Sequence, residues 1–164
     1  MEHFNIVNLF FKSAEQFPEK AAIICKDETI TFGVLKQQVE DTSDYFLGKG
    51  IRKGDRVMIF VPMGFDLYRT VLALLNIGAT VVFLDEWVNK KRMEACCEIA
   101  QCKAFIGIFK ARFFSLFSAE LRKIPIKLGT KYRAVAVNKN QRAETVKADT
   151  ALITFTTGST GTPK

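Results

Sequence analysis

The residues best suited to chemistry stand together at one point in the sequence: Thr156-Thr157-Gly158-Ser159-Thr160-Gly161-Thr162-Pro163-Lys164. The two glycines permit backbone shapes that other residues avoid, so successive amide N–H groups can turn inward on an anion. Five hydroxyls surround them, each able to donate to a phosphate oxygen. Lys164 adds a mobile positive charge. This is the composition of a loop that grips phosphate. It is not a Walker A loop, which places Gly-Lys-Ser/Thr after four intervening residues; here Gly161 is followed by Thr162-Pro163-Lys164. It is not a nucleophile elbow, because Gly-x-Ser-x-Gly would need a glycine where Thr157 stands. Gly48, Gly50 and Gly54 have the wrong spacing for a dinucleotide fingerprint and precede a strand, so they read as a helix stop and a turn.

Other chemistries lack their residues. The one histidine is His3, near the N-terminus, which leaves a Ser-His-Asp or Cys-His mechanism without a base. Cys25, Cys96, Cys97 and Cys102 lack paired C-x-x-C spacing, so no metal site is expected. They read as reduced thiols that pack like small hydrophobes.

The loop follows directly on an apolar strand, Thr150 to Phe155, and the elements before it alternate. A short helix capped by Asn5 or Asn8 runs to Phe17 and stops at Pro18. Ala21–Cys25 and Thr29–Thr31 read as two strands around the turn Lys26-Asp27-Glu28. Thr31 suits the N-cap of a helix whose inward residues are Leu35, Val39, Thr42 and Phe46 and whose stop is Gly48. Strands are expected over 56–61, 80–84, 104–108 and 132–137, the first as a continuous apolar run buried on both faces. Helices are expected over 65–77, 89–100 and 109–121, and a polar loop over 138–149. Strands alternating with helices indicate an α/β fold: a mostly parallel sheet with helices on both faces.

The chain has 164 residues, enough for about one domain. Its 48% hydrophobic and 25% charged residues fit a globular profile and exclude collagen, coiled coil and bulk disorder. Met1-Glu2-His3 is not the basic start of a signal peptide. The longest apolar stretch, 71–84, is shorter than the roughly 20 residues a spanning helix needs. A cytoplasmic chain is the expectation.

The 156–164 string resembles the phosphate-loop signature of the acyl-adenylate-forming superfamily of AMP-dependent synthetases and ligases: acyl-CoA synthetases, peptide-synthetase adenylation domains and luciferases. Phe17-Pro18-Glu19-Lys20-Ala21-Ala22, Thr31-Phe32-Gly33-Val34-Leu35, Gly50-Ile51-Arg52-Lys53-Gly54-Asp55-Arg56-Val57 and Leu72-Ala73-Leu74-Leu75-Asn76-Ile77-Gly78-Ala79 resemble the opening region of the same family. The resemblance thus covers nearly the whole chain. Ala104-Phe105-Ile106-Gly107-Ile108, followed by Lys110-Ala111-Arg112, resembles the fatty-acid ligase-like branch, which includes the β-lactone synthetases of bacterial olefin biosynthesis. At Asp85-Glu86-Trp87 the family often has Asp-Pro or Asn-Pro, so the local turn departs from its pattern.

The resemblance implies that residues 1–164 are the N-terminal part of an adenylation domain, the first subdomain of its fold, ending after the loop 156–164. It implies a ligase that activates a carboxylic acid, in particular a fatty acid, with ATP. The acid attacks the α-phosphate, pyrophosphate leaves, and the acyl group passes to coenzyme A. In the lactone-forming branch the acceptor is the internal hydroxyl of a β-hydroxy acid. Gly158, Ser159, Thr160, Gly161 and Lys164 would hold the β- and γ-phosphates with Mg²⁺ as charge builds on the leaving pyrophosphate, supported by Thr156, Thr157 and Thr162. The family's adenine and Mg²⁺ segment, ribose-binding Asp and catalytic Lys would all follow Lys164. No catalytic residue or metal ligand is therefore assigned within the 164 residues, and this stretch alone is expected to be inactive.

One region suggests a different partner. From Lys103 to Arg142 there are ten Lys or Arg and one acid, Glu120. The helix expected from Phe109 mixes Phe and Leu with cations. Such a helix packs its rings on the domain, or lies on an anionic membrane surface through 109–133, making the chain membrane-peripheral. No array of rings and cations on a sheet or recognition helix stands out, so nucleic acid is not expected. Apart from an enzyme, the remaining classes are a phosphate-binding module of another kind and a basic interaction module.

Overall fold

The computed structural model describes residues 5–84, 90–115, 118–132, 144–146 and 148–155. Helix α1, Val7–Gln16, starts just after Asn5, one of the two residues expected to cap it, whose Oδ1 accepts the Val7 N–H at 3.0 Å. Strands β1, Ala21–Cys25, and β2, Glu28–Thr31, form an antiparallel hairpin that turns through Lys26 at φ 55°. Thr31 then accepts the Val34 N–H at 3.4 Å and caps α2, Phe32–Gly48. All four residues expected to face inward on α2 are buried.

Among the described residues the main sheet has five strands: β3, Arg56–Phe60; β4, Thr80–Phe83; β5, Ala104–Gly107; β6, Ile126–Leu128; and β7, Leu152–Thr154. Their order is β6-β5-β3-β4-β7, and every pairing is parallel. Parallel neighbours need crossovers, which are right-handed, so a step in one direction puts its helix on one face and a step back uses the other. α3, Phe65–Asn76, joins β3 to β4 and packs with α1 and α2 on one face, against Val57, Ile59, Val81, Ala104 and Ile106. The connections to β5 and β6 contain α4, Lys90–Ala100; α5, Phe109–Ser115; and α6, Ala119–Lys123. These cover the other face, against Met58, Val82 and Phe105. Alternate residues of one strand thus feed two cores, which explains the unbroken apolar runs.

The structure differs from expectation at four points. The helix expected over 109–121 is two helices. Ser118 leaves the helical region (φ −103°, ψ 126°), and its hydroxyl accepts the Leu121 N–H at 3.4 Å, starting α6 afresh. β6 was not expected at all: it has three residues, follows Pro125 and carries Lys127 at its centre. The strand expected over 150–155 keeps only Leu152–Thr154. Tyr132 is not in a strand, and the rest of the strand expected at 132–137 lies outside the described residues.

Candidate functional site

Because all five strands are parallel, their C-terminal ends share one edge, where ligands of such sheets bind. β7 lies beside β4 with Val81 opposite Leu152, Val82 opposite Ile153 and Phe83 opposite Thr154. Phe155 therefore leaves the sheet beside Leu84, at this edge. Thr156, Thr157, Gly158, Ser159, Thr160, Gly161, Thr162 and Lys164 follow it and lie outside the described residues.

The strand that leads into the loop is secured at its start. The Thr80 hydroxyl donates to the Thr150 carbonyl at 2.7 Å, and the Val81 N–H to the Ala151 carbonyl at 2.9 Å. Asp149 Oδ2 accepts the Val146 N–H at 2.9 Å and pairs with the Lys53 ammonium at 3.1 Å. These contacts, the Val146 N–H first, hold its carboxyl below the usual value. Lys53 also donates to the Glu144 carbonyl at 2.6 Å, so a residue ahead of β3 holds the connection that enters β7.

A second feature of the same edge was not foreseen. The connection from β3 turns to the face of α3, while the connection from β5 turns to the face of α5. Neighbouring strands whose exits diverge leave a crevice, the topological switch point of the sheet. An open cleft of about 690 Å³ lies there. It is lined by Val61, Pro62, Met63 and Gly64 after β3, Phe65 and Asp66 at the start of α3, Ile108 after β5, and the hairpin turn Cys25–Glu28. The helix-breaking run Pro62-Met63-Gly64 was visible in the sequence. Its meaning depended on the direction of the crossovers.

The sequence matches the model of the AMP-binding enzyme family over residues 10–164. The chain belongs to that family. Among the relatives of this AMP-binding chain, the delta-poly-L-ornithine synthetase of Acinetobacter baumannii is 27% identical over 97% of the chain and 12% of the relative. The olefin beta-lactone synthetase of Xanthomonas campestris is 28% identical over 98% of the chain and 33% of the relative. The chain thus spans a third or less of these two proteins. Among solved structures, the N-terminal subdomain of Klebsiella oxytoca NpsA, in complex with 3-hydroxybenzoyl-AMSN, has the same fold: TM-score 0.82 at 23% identity, over 98% of the chain and 39% of that structure.

The remaining reactive side chains of the AMP-binding chain serve its packing. Cys96, Cys97 and Cys102 are buried among α4 and the sheet, and the Cys97 thiol lies 3.4 Å from the Met58 sulfur. Burial pushes the Cys97 and Cys102 thiols up to about 12. Tyr132 is partly buried against Tyr45 and Phe46, and its hydroxyl is 2.8 Å from that of Thr70. Burial raises its pKa. The Arg69 guanidinium lies 4.8 Å from the Tyr132 ring centre and bonds Asp66 and the Thr130 carbonyl, both at 2.7 Å, tying the exit of β6 to α3. Among the described residues no group of three His, Cys, Asp or Glu is placed to hold a metal ion, and no helix is long and apolar enough to cross a membrane.

Proposed function

We propose that this chain supplies the phosphate-gripping part of an enzyme that activates a carboxylic acid with ATP, forming an acyl-adenylate and releasing pyrophosphate. The observation that carries the proposal is the register of β7 on β4, which ends the strand before Thr156 at the ligand-binding edge of a parallel sheet, in a chain of the AMP-binding family. Gly158 and Gly161 would let the backbone close on the β- and γ-phosphates. Thr156, Thr157, Ser159, Thr160 and Thr162 would donate hydroxyl hydrogen bonds, and Lys164 would balance charge on the leaving pyrophosphate. Mg²⁺ would come in with the triphosphate as its counterion. The acid is a fatty acid and the acceptor coenzyme A, in keeping with the resemblance of 104–112 to the fatty-acid ligase branch. A β-hydroxy acid closing to a β-lactone is the second reading, favoured by the Xanthomonas relative.

The test is binding of ATP and of pyrophosphate by the chain and by its Lys164→Ala and Gly161→Val variants, with thermal melting as the control for folding. Binding is expected to fall about ten- to a hundredfold in Lys164→Ala, the loss of one hydrogen bond to a charged group at about 1.5–3 kcal/mol. It should fall further in Gly161→Val, whose β-branched side chain blocks both the backbone shape and the approach of phosphate. Equal affinity in all three proteins overturns the loop assignment. ATP–pyrophosphate exchange with fatty, hydroxy and amino acids is expected to be absent from these 164 residues, because phosphate grip alone cannot align a carboxylate with the α-phosphate. Measurable exchange would mean that the groups performing the chemistry lie within the chain.

A further inference from the structure

The charge of the molecule is gathered at one side of the sheet. Between residues 5 and 84 nine cations balance nine anions, whereas residues 103–132 carry seven cations against the single acid Glu120. The second segment forms β5, α5, α6 and β6, the strands at one end of the sheet order. In α5, Ala111 is buried against the sheet, while Phe109 is 80% and Phe113 52% exposed. The two rings stand four residues apart and so share one side of the helix. Lys110 and Arg112 flank them, both exposed. The Arg112 guanidinium lies over Gly129 at the exit of β6, 3.2 Å from where a β-carbon would be. The exposed Lys131 is two residues further on. Lys110 and Lys131 make no ion pair among the described residues, whereas Lys123 is paired with Glu120 and Lys103 with Asp55.

We propose that α5 and the exit of β6 form a docking surface for an anionic lipid bilayer. Phe109 and Phe113 enter the boundary between headgroups and acyl chains, while Lys110, Arg112 and Lys131 meet the lipid phosphates. Charge complementarity selects an anionic partner, and the exposed pair of rings selects a bilayer over other polyanions, because the boundary region accepts apolar rings beside cations. The surface adjoins the sheet's C-terminal edge: Ile108, which lines the cleft, immediately precedes Phe109. A bilayer held there would lie beside the ligand edge, a placement that suits a lipid-derived acid.

The experiment is co-sedimentation of the 164-residue chain with vesicles of phosphatidylcholine, alone and mixed with phosphatidylglycerol, at low and high salt. Binding is expected only with phosphatidylglycerol and should weaken as salt screens the contact. Replacing both rings (Phe109→Ser with Phe113→Ser) should lower partitioning on the order of tenfold with melting unchanged. Lys110→Glu with Lys131→Glu, which leaves every packed ring in place, should lower it at least as much. Equal binding to neutral vesicles, no binding to either, or charge-dependent binding that ignores loss of the rings would overturn the proposal. So would tighter, ring-independent binding to RNA, which would mark the patch as a nucleic-acid surface.

Discussion

The two edges of the parallel sheet are built differently. Where the strands begin, polar links cross between elements. Asp55 Oδ2 accepts both the Arg52 N–H and the Lys103 ammonium at 2.7 Å, the Gly54 N–H donates to the Gly78 carbonyl at 2.8 Å, and the Arg56 guanidinium donates to the Ala100 carbonyl at 3.0 Å. Lys53 and Thr80 hold the approach to β7. Where the strands end, Arg69 ties the exit of β6 to α3, but β3 runs into Pro62, Met63 and Gly64, the cleft opens towards β5, and Met63 and Phe109 stay exposed. Cross-linking one edge leaves the other free to meet a ligand without loss of the fold, a division also seen between the two faces of β/α barrels.

The cysteines should show the largest difference between the two edges. Cys25 is half-buried in the hairpin turn that lines the cleft. Cys97, on α4, and Cys102, just after it, are buried, with thiols pushed up to about 12 from 9.0. At neutral pH they hold far less thiolate than an ordinary cysteine, in addition to being buried. Labelling with a thiol reagent, followed by mass spectrometry, should mark Cys25 in the folded chain and Cys97 and Cys102 only when it unfolds. The same values fix an alkaline limit. Their unfolded forms lose protons first, so the stability they contribute is complete below pH 9 and drains away as pH climbs towards 12. Urea midpoints measured across that range should fall. Rapid labelling of Cys102 in the native chain would show that the edge where strands begin is open too.

Asp55 supplies the next largest effect. Asp55→Ala removes the acceptor of a backbone N–H and of a lysine, so it should cost about 2 kcal/mol in urea unfolding. Met63→Ala, at the opposite edge, should stay within about 0.5 kcal/mol. Equal costs would erase the distinction between the edges. Lys53→Ala should cost less than about 1 kcal/mol, because the pair with Asp149 is largely exposed. Its mark should be local: faster hydrogen exchange in β7 and at Val81, with β3 and β5 unchanged. Mild acid should mimic it. A lowered carboxyl pKa stabilises the fold above the unfolded value of 3.8 and ceases to do so as pH drops through the folded value, so β7 should loosen below about pH 4.

The sequence disclosed the elements that rest on periodicity and on capping chemistry. The apolar runs marked β3, β4 and β5, and Asn5 and Thr31 marked helix starts. It did not disclose what depends on a partner. β6 exists because β5 offers an edge to pair with, and three residues around Lys127 carry no pattern of their own. The break at Ser118 was concealed because Phe and Leu surround it, so a new cap resembled a continuing helix. The cleft escaped because it belongs to the order of strands and not to any one segment. The phosphate-loop reading rests on the composition of 156–164 and on its resemblance to the family signature; the described strand before it adds the edge from which the loop departs.

The order in which the polypeptide is made gives the β7–β4 pairing a further consequence. Leu152 must find Val81 across about seventy residues of intervening chain. During synthesis, β3, β4, β5 and β6 can assemble first, leaving one side of Thr80-Val-Val-Phe83 without a neighbour. A β-branched, apolar rim of that kind recruits strands from other nascent chains. Translation speed through the long polar connection before Leu152 therefore bears on yield, and a pause there should favour aggregates over monomer.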